Sequence, residues 1–131
     1  MHNFFFGRVI HGLGKGTNFG FPTVNIELID SALHIENGVY AVTVHVGNRS
    51  FQGMLYVGTR PTLNLLEQTI EIHIFQFNEN IYNHQISFQI LHKIRDEIKF
   101  DSIEKLIHQL HQDRNMVYDY LSSICFNSSR L

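Results

Sequence analysis

Residues 38–57 have the sequence GVYAVTVHVGNRSFQGMLYV, in which two runs rich in β-branched and aromatic residues flank Gly47 and Asn48. Such runs favour β-strands, and a Gly-Asn pair between them is typical of a tight hairpin turn. The stretch therefore predicts two antiparallel strands, Gly38 to Val46 and Ser50 to Val57.

The same pattern continues on both sides of this hairpin, from residue 3 to residue 91. Short apolar runs are separated there by Gly, Asn and Pro, as in antiparallel all-β domains. Four further strands are predicted: Asn3 to Ile10, Phe21 to Leu28, Thr69 to Phe77 and Gln85 to Leu91. Side chains alternate between the two faces of a strand. In the 69–77 run, one face is therefore predicted to enter the core (Ile70, Ile72, Ile74) and the other to point outward (Glu71, His73, Phe75, Phe77).

The last quarter of the chain changes to a helical period. Asp101 followed by Glu104 is typical of a capping box, and apolar residues then recur at helical spacing (Ile103, Leu106, Ile107, Leu110, Val117, Tyr120, Leu121). Six antiparallel strands and one covering helix avoid long bare sheet edges most simply as a closed or nearly closed barrel. The predicted domain spans residues 1–123, followed by a polar tail, 124–131.

Composition narrows the classes of function. The chain has 131 residues, 44% of them hydrophobic, and a formal net charge of −2. That length fits one domain, and the charge disfavours a protein that holds nucleic acid mainly through phosphate contacts. A single cysteine excludes an internal disulfide, and no run of about eighteen apolar residues could span a membrane. We therefore expect a cytoplasmic protein with no membrane partner. The abrupt start predicts either a piece cut from a longer chain or the product of a truncated gene.

A glycine-rich segment joins the first two predicted strands. Residues 11–25 read HGLGKGTNFGFPTVN, with four glycines in nine positions. Backbone amides of such a loop can approach phosphate oxygens. The segment matches neither the P-loop nor the dinucleotide-binding pattern, because no helix follows it. A purely conformational role for the glycines stays open.

Three polar residues suggest chemistry. Thr23 and Asn25 lie two apart on a predicted strand, so both point to one side and offer oxygens to a hard cation such as Mg²⁺. Glu71 is a candidate general base, able to accept the proton of an attacking alcohol. Ordinary solvated strand residues are the alternative in each case.

Together, five stretches in order resemble the riboflavin kinase family, which phosphorylates riboflavin to FMN. They are GFPTVN at 20–25, GVYAV at 38–42, GTRPT at 58–62, EIH at 71–73 and RDEIKF at 95–100. The resemblance covers about residues 7–121. It implies a six-stranded Greek-key barrel with ATP under the glycine-rich loop.

The resemblance also implies roles for single residues. Thr23 and Asn25 would hold Mg²⁺ with the ATP phosphates, and Glu71 would take the proton from the ribityl 5′-hydroxyl. Arg95 and Phe100 would contact the flavin. The implied nucleotide-binding set is Gly12, Lys15, Thr17, Thr23, Asn25, Ile74 and Tyr82.

Four positions depart from the family pattern. Thr17 stands where a basic residue is frequent, and Val24 replaces a usual Ala. Tyr56 replaces a frequent Asn and Ile94 a frequent Leu, both away from the implied ligands. In many bacteria this module is joined to an adenylyltransferase, which we expect to be missing from this chain. The expected partners are riboflavin, FMN, ATP and ADP. A barrel that binds flavin without catalysis is the alternative, and an oligonucleotide-binding barrel is disfavoured because no basic aromatic groove is evident.

Overall fold

The computed structural model describes residues 3–12, 20–30, 32–61 and 63–129, with the backbone alone for Pro61 and for residues 125–129. It contains six strands and one helix. They are β1 Phe4–Ile10, β2 Val24–Leu28, β3 Gly38–Val46, β4 Arg49–Pro61, β5 Leu66–Ile74, β6 Gln85–Arg95 and α1 Ile103–Ser129.

The strands form one closed antiparallel barrel in the order β1-β2-β5-β4-β3-β6. Strands β3, β4 and β5 are neighbours in sequence and in space, while β6 returns to lie beside β3. This is the Greek-key order. The predicted fold class, a six-stranded antiparallel barrel with one C-terminal helix, is confirmed. The hairpin between β3 and β4 turns at Gly47, whose positive φ of 61° suits glycine.

Several strand limits differ from the sequence-based prediction. Strand β2 begins at Val24 and not at Phe21, because Gly20 has a positive φ of 81° and Pro22 has no amide hydrogen to donate to a ladder. Strand β4 continues past Val57 to Pro61, which pairs with Leu66 at the start of β5. Strand β5 thus begins before the predicted Thr69 and ends at Ile74, and β6 runs to Arg95. The mutual pairing of β4 and β5 supports residues whose local sequence does not favour strand.

The outer and inner faces of β5 confirm one prediction and correct another. Ile70, Ile72 and Ile74 lie in the barrel interior, as predicted. The prediction that Phe77 shares the outward face of Glu71 is wrong. The chain turns at Gln76, which has a positive φ of 55°, and Phe77 packs against the interior cluster.

The helix begins one residue later than a cap at Asp101 implies. The amide of Lys105 donates to the side-chain oxygen of Ser102 at 3.2 Å, so Ser102 is the N-cap, and the predicted capping box is wrong. Asp101 instead pairs with the ammonium of Lys105 at 2.9 Å. The helix runs to Ser129 through part of the predicted polar tail, while the domain division at residue 123 stays a prediction. No helix within the described ranges is long and apolar enough to cross a membrane.

Helix α1 covers an aromatic cluster on the outer face of the barrel. The rings of Phe21 and His73 lie 5.4 Å apart, and the guanidinium of Arg114 lies 5.1 Å from the Phe21 ring. His73 Nδ1 donates to the carbonyl of Pro22 at 2.7 Å, because a carbonyl can only accept. Burial lowers the pKa of His73, and the charge of Arg114 acts in the same direction. A neutral His73 thus ties β5 to the segment before β2.

The cap assignment predicts a difference between adjacent serine and aspartate variants. Ser102→Ala should lower the free energy of unfolding by about 1 kcal/mol, because an amide of the first helical turn loses its acceptor. Asp101→Ala should have a smaller effect, since its carboxylate pairs only with an exposed lysine. Urea unfolding of both variants measures this, and a larger loss for Asp101→Ala would contradict it.

The environment of His73 predicts a pH dependence of stability. The folded protein disfavours the imidazolium, whereas the unfolded chain accepts a proton near pH 6.5. The contribution of neutral His73 to the free energy of unfolding is therefore fully present above that pH, and it is lost as the pH falls below it. We expect the free energy of unfolding, measured with urea, to fall between about pH 7.5 and about pH 5.5. The fall should be smaller in His73→Asn than in the unaltered protein, because Asn keeps a donor for Pro22 but does not titrate. Equal losses in both proteins would refute the assignment.

Candidate active site

Glu71 lies on the outer face of β5, at the place where three strands meet. In the ladder it stands opposite Asn25 of β2 on one side and Tyr56 of β4 on the other. The hydroxyl of Thr23 donates to Glu71 Oε1 at 2.9 Å. The three polar residues singled out from the sequence are therefore brought together, although Glu71 is far from the other two in sequence.

Two cavities border Glu71. The first, here called the loop-side cavity, has a volume of about 380 Å³. Its lining includes Gly12, Asn25, Glu27, Arg60, Glu67 and Glu71. The second, the helix-side cavity, has a volume of about 230 Å³ and is bordered by Tyr56, Arg95, Glu97, Phe100, Leu106 and Leu110, again with Glu71. Glu71 thus belongs to the walls of both cavities.

The loop-side cavity has an acidic wall. Its described lining contains the carboxylates of Glu27, Glu67 and Glu71 but only one guanidinium, that of Arg60, which lies 3.3 Å from Glu67. A triphosphate would need a metal ion or backbone amides to be held here. The predicted nucleotide residues Lys15 and Thr17 lie outside the described residues.

Thr23 and Asn25 offer oxygens that suit Mg²⁺. Because the Thr23 hydroxyl donates its hydrogen to Glu71, its oxygen lone pairs remain able to face a cation. The carboxamide of Asn25 occupies the space that a Cβ on residue 12 would fill, so Gly12 permits this close approach. Magnesium binds hard oxygen donors and keeps several waters, so two neutral protein oxygens fit it.

Two further residues predicted to bind the nucleotide, Tyr82 and Ile74, lie in different places. Tyr82 is 47% exposed and stacks on His11 with ring centroids 3.7 Å apart, at the rim of the loop-side cavity. The sequence analysis did not single out His11. Ile74 is buried in the barrel interior and does not line either cavity. Its contact with a nucleotide stays a prediction.

In the helix-side cavity the guanidinium of Arg95 lies 5.9 Å from the Phe100 ring. The contact of these two residues with a flavin stays a prediction. Arg95 also forms a bidentate pair with Asp113 of α1, at 2.7 and 2.8 Å. The sequence analysis missed Asp113. Its signal was a carboxylate between Leu110 and Val117 on the apolar stripe of the helix.

Tyr56 also borders the helix-side cavity. The expectation that it lies away from the implied ligands stays a prediction. Burial raises the pKa of Tyr56, and the nearby carboxylate of Asp113 raises it further. The phenol is therefore protonated at neutral pH, and its hydroxyl donates to Met54 Sδ at 3.5 Å.

Comparison with known proteins identifies relatives of this chain. A sequence model described as riboflavin kinase matches residues 2–121. A bifunctional riboflavin kinase/FMN adenylyltransferase of Haemophilus influenzae is 46% identical over 109 residues, which are 82% of this chain and 35% of that protein. The first three curated relatives are matched over 35% to 48% of their own length.

Solved structures show the same fold. The riboflavin kinase of Trypanosoma brucei superimposes with a TM-score of 0.64 at 25% identity, covering 92% of this chain and 82% of that one. A macrolide-efflux protein of Streptococcus pneumoniae gives a TM-score of 0.82 at 35% identity, over 88% of this chain and 38% of that one. Since the family match spans nearly the whole sequence, the chain belongs to the riboflavin kinase family.

Proposed function

We propose that this chain transfers the γ-phosphate of ATP to the 5′-hydroxyl of riboflavin and so forms FMN. The observation that carries the proposal is the position of Glu71 in the walls of both cavities. A kinase must bring an alcohol and a phosphate together at one point, and a shared wall is such a point. ATP would occupy the loop-side cavity and riboflavin the helix-side cavity.

The flavin assignment rests on the chemistry of the helix-side cavity. Phe100, Leu106 and Leu110 provide apolar surface, Tyr56 adds an aromatic side chain, and the guanidinium of Arg95 provides N–H donors. A planar aromatic ring with carbonyl oxygens at its edge can stack on such apolar groups and accept hydrogen bonds from these donors. The acidic loop-side cavity suits the more highly charged nucleotide only as a metal complex.

Glu71 is proposed to act as the general base. The 5′-oxygen of riboflavin forms a bond to the γ-phosphorus, the bond to the β,γ-bridging oxygen breaks, and ADP leaves. The hydroxyl proton passes to the Glu71 carboxylate, which Thr23 holds in place through its 2.9 Å hydrogen bond. Such phosphoryl transfers depend on positioning more than on a strong base.

Thr23 and Asn25 are proposed to hold Mg²⁺ beside the phosphates. The bound ion would neutralise charge that builds up on the transferred group. The protein's own part is to place two oxygens next to Glu71, with Asn25 fixed by the β2–β5 ladder and Thr23 by its hydrogen bond to Glu71.

Replacement of Glu71 tests its role. Glu71→Gln should lower FMN formation by about a hundredfold or more, because Gln cannot take the proton, while riboflavin and ATP still bind. Chromatography of a reaction with riboflavin and Mg-ATP separates FMN and FAD, and titration calorimetry follows binding. We expect FMN without FAD from the unaltered chain.

The matched control is Glu79→Gln, since the carboxylate of Glu79 pairs with Arg49 on the surface. It should leave turnover unchanged. Normal FMN formation by Glu71→Gln would refute the base assignment. Flavin binding without turnover by the unaltered chain would refute the kinase proposal and favour a flavin-binding barrel.

The metal assignment predicts a change in magnesium requirement. Thr23→Val should raise the Mg²⁺ concentration for half-maximal FMN formation by about tenfold, because one ligand oxygen is lost, whereas Thr23→Ser keeps that oxygen and should stay near the original value. Chelation of the metal should abolish turnover in every variant. An unchanged requirement in Thr23→Val would contradict the assignment.

A further inference from the structure

Asp113 has a surrounding that is unusual for a carboxylate. Its side chain is fully buried on the face of α1 that packs against the barrel, and it is the sole buried charged residue in the described part of the chain. Leu110 and Val117, one turn away on either side, are buried in the apolar cluster under the helix. Burying a carboxylate at such a position is costly unless its charge and its hydrogen bonds are met.

The hydrogen bonds of the Asp113 side chain hold the guanidinium of Arg95 in one orientation. Its two oxygens accept from Arg95 Nε at 2.7 Å and from Arg95 Nη2 at 2.8 Å. Gln109 Nε2 donates to the same carboxylate at 2.9 Å and restrains its rotation. The remaining terminal nitrogen of Arg95 donates to the carbonyl of Asp96 at 3.1 Å. A bidentate pair of this kind fixes the plane of the guanidinium and not only its position.

The guanidinium whose plane is fixed in this way belongs to a residue of a cavity wall. Arg95 borders the helix-side cavity together with Phe100, whereas Asp113 does not line that cavity. Asp113 therefore stands behind Arg95, on the side away from any ligand. A buried ion pair usually adds little net stability compared with an apolar pair of similar size. Stability alone thus gives a weak reason for a carboxylate between Leu110 and Val117.

We propose that Asp113 is a positioning residue for the flavin: it orients Arg95 so that the guanidinium presents a fixed face and edge to a planar ring with carbonyl acceptors. This inference rests on the proposed function, since it takes the helix-side cavity as the riboflavin site. It makes helix α1 part of flavin recognition. The ATP side should be insensitive to Asp113.

Asp113→Asn tests the inference because it keeps the shape of the side chain. The amide group of Asn would face a guanidinium N–H with its own N–H, which breaks the bidentate pair and lets Arg95 turn. We expect the KM for riboflavin to rise about tenfold, with the KM for ATP and kcat within about twofold of the original values. Asp119→Asn, on the exposed side of the same helix, is the matched control and should change none of the three.

Thermal unfolding and direct titration of riboflavin fluorescence, at a temperature well below the transition, separate positioning from stability. A lower melting temperature with unchanged riboflavin affinity would overturn the inference, as would equal rises in both KM values. If Asp113→Asn does not fold, Gln109→Leu removes one restraint on the same carboxylate. A weaker riboflavin affinity in that variant supports the inference, and an unchanged affinity overturns it.

The same titration distinguishes the two proposals. An unaltered chain that binds riboflavin but forms no FMN would refute the proposed function, while the comparison of Asp113→Asn with Asp119→Asn in binding still tests the role of Asp113. An unaltered chain that forms FMN, with Asp113→Asn indistinguishable from it in riboflavin KM, would refute the positioning role alone.

Discussion

The short pairing between β2 and β5 is the constraint on which the candidate active site depends. Two residue pairs join these strands, Val24 with Ile72 and Asn25 with Glu71. A slip by one residue would turn Ile72 outward and Glu71 into the core. Ile72 is fully buried, so the hydrophobic interior resists that slip. The register that buries Ile72 is the one that sets Asn25 beside Glu71, and core packing thereby fixes the site.

The barrel interior is filled by apolar side chains. Two of them, Ile26 and Ile70, also border the loop-side cavity, next to Glu71. Both cavities form where a loop or the helix borders the strands. The loop-side cavity lies between β2, β5 and the end of β1, and the helix-side cavity lies where the chain leaves β6 to enter α1. Glu71 borders both because β5 runs between them.

The sequence predicts those features that depend on neighbours along the chain. The limits of β3 agree residue for residue with the prediction, and the alternation of Ile70, Ile72 and Ile74 correctly identifies the buried face of β5. The prediction fails where a turn or an adjacent residue overrides the pattern. Phe77 is redirected by a turn at Gln76 and by the apolar cluster it meets, neither of which is visible in an alternating pattern. The predicted capping box is wrong because Ser102, and not Asp101, accepts a hydrogen bond from an amide of the first helical turn, that of Lys105.

The acidic lining of the loop-side cavity changes how the small net charge of the chain is understood. Taken alone, a net charge of −2 argues against binding of phosphate groups. The described lining of the cavity holds three carboxylates and one guanidinium, and Arg60 is already held by Glu67. These described groups would repel a bare triphosphate. The magnesium complex of the nucleotide carries less negative charge and brings a cation that neutral oxygens can bind. Under the proposed function, the acidic lining of the loop-side cavity therefore favours binding of the metal complex over the free nucleotide. A metal ion held by the neutral oxygens of Thr23 and Asn25 would do what lysine or arginine side chains do in more basic sites.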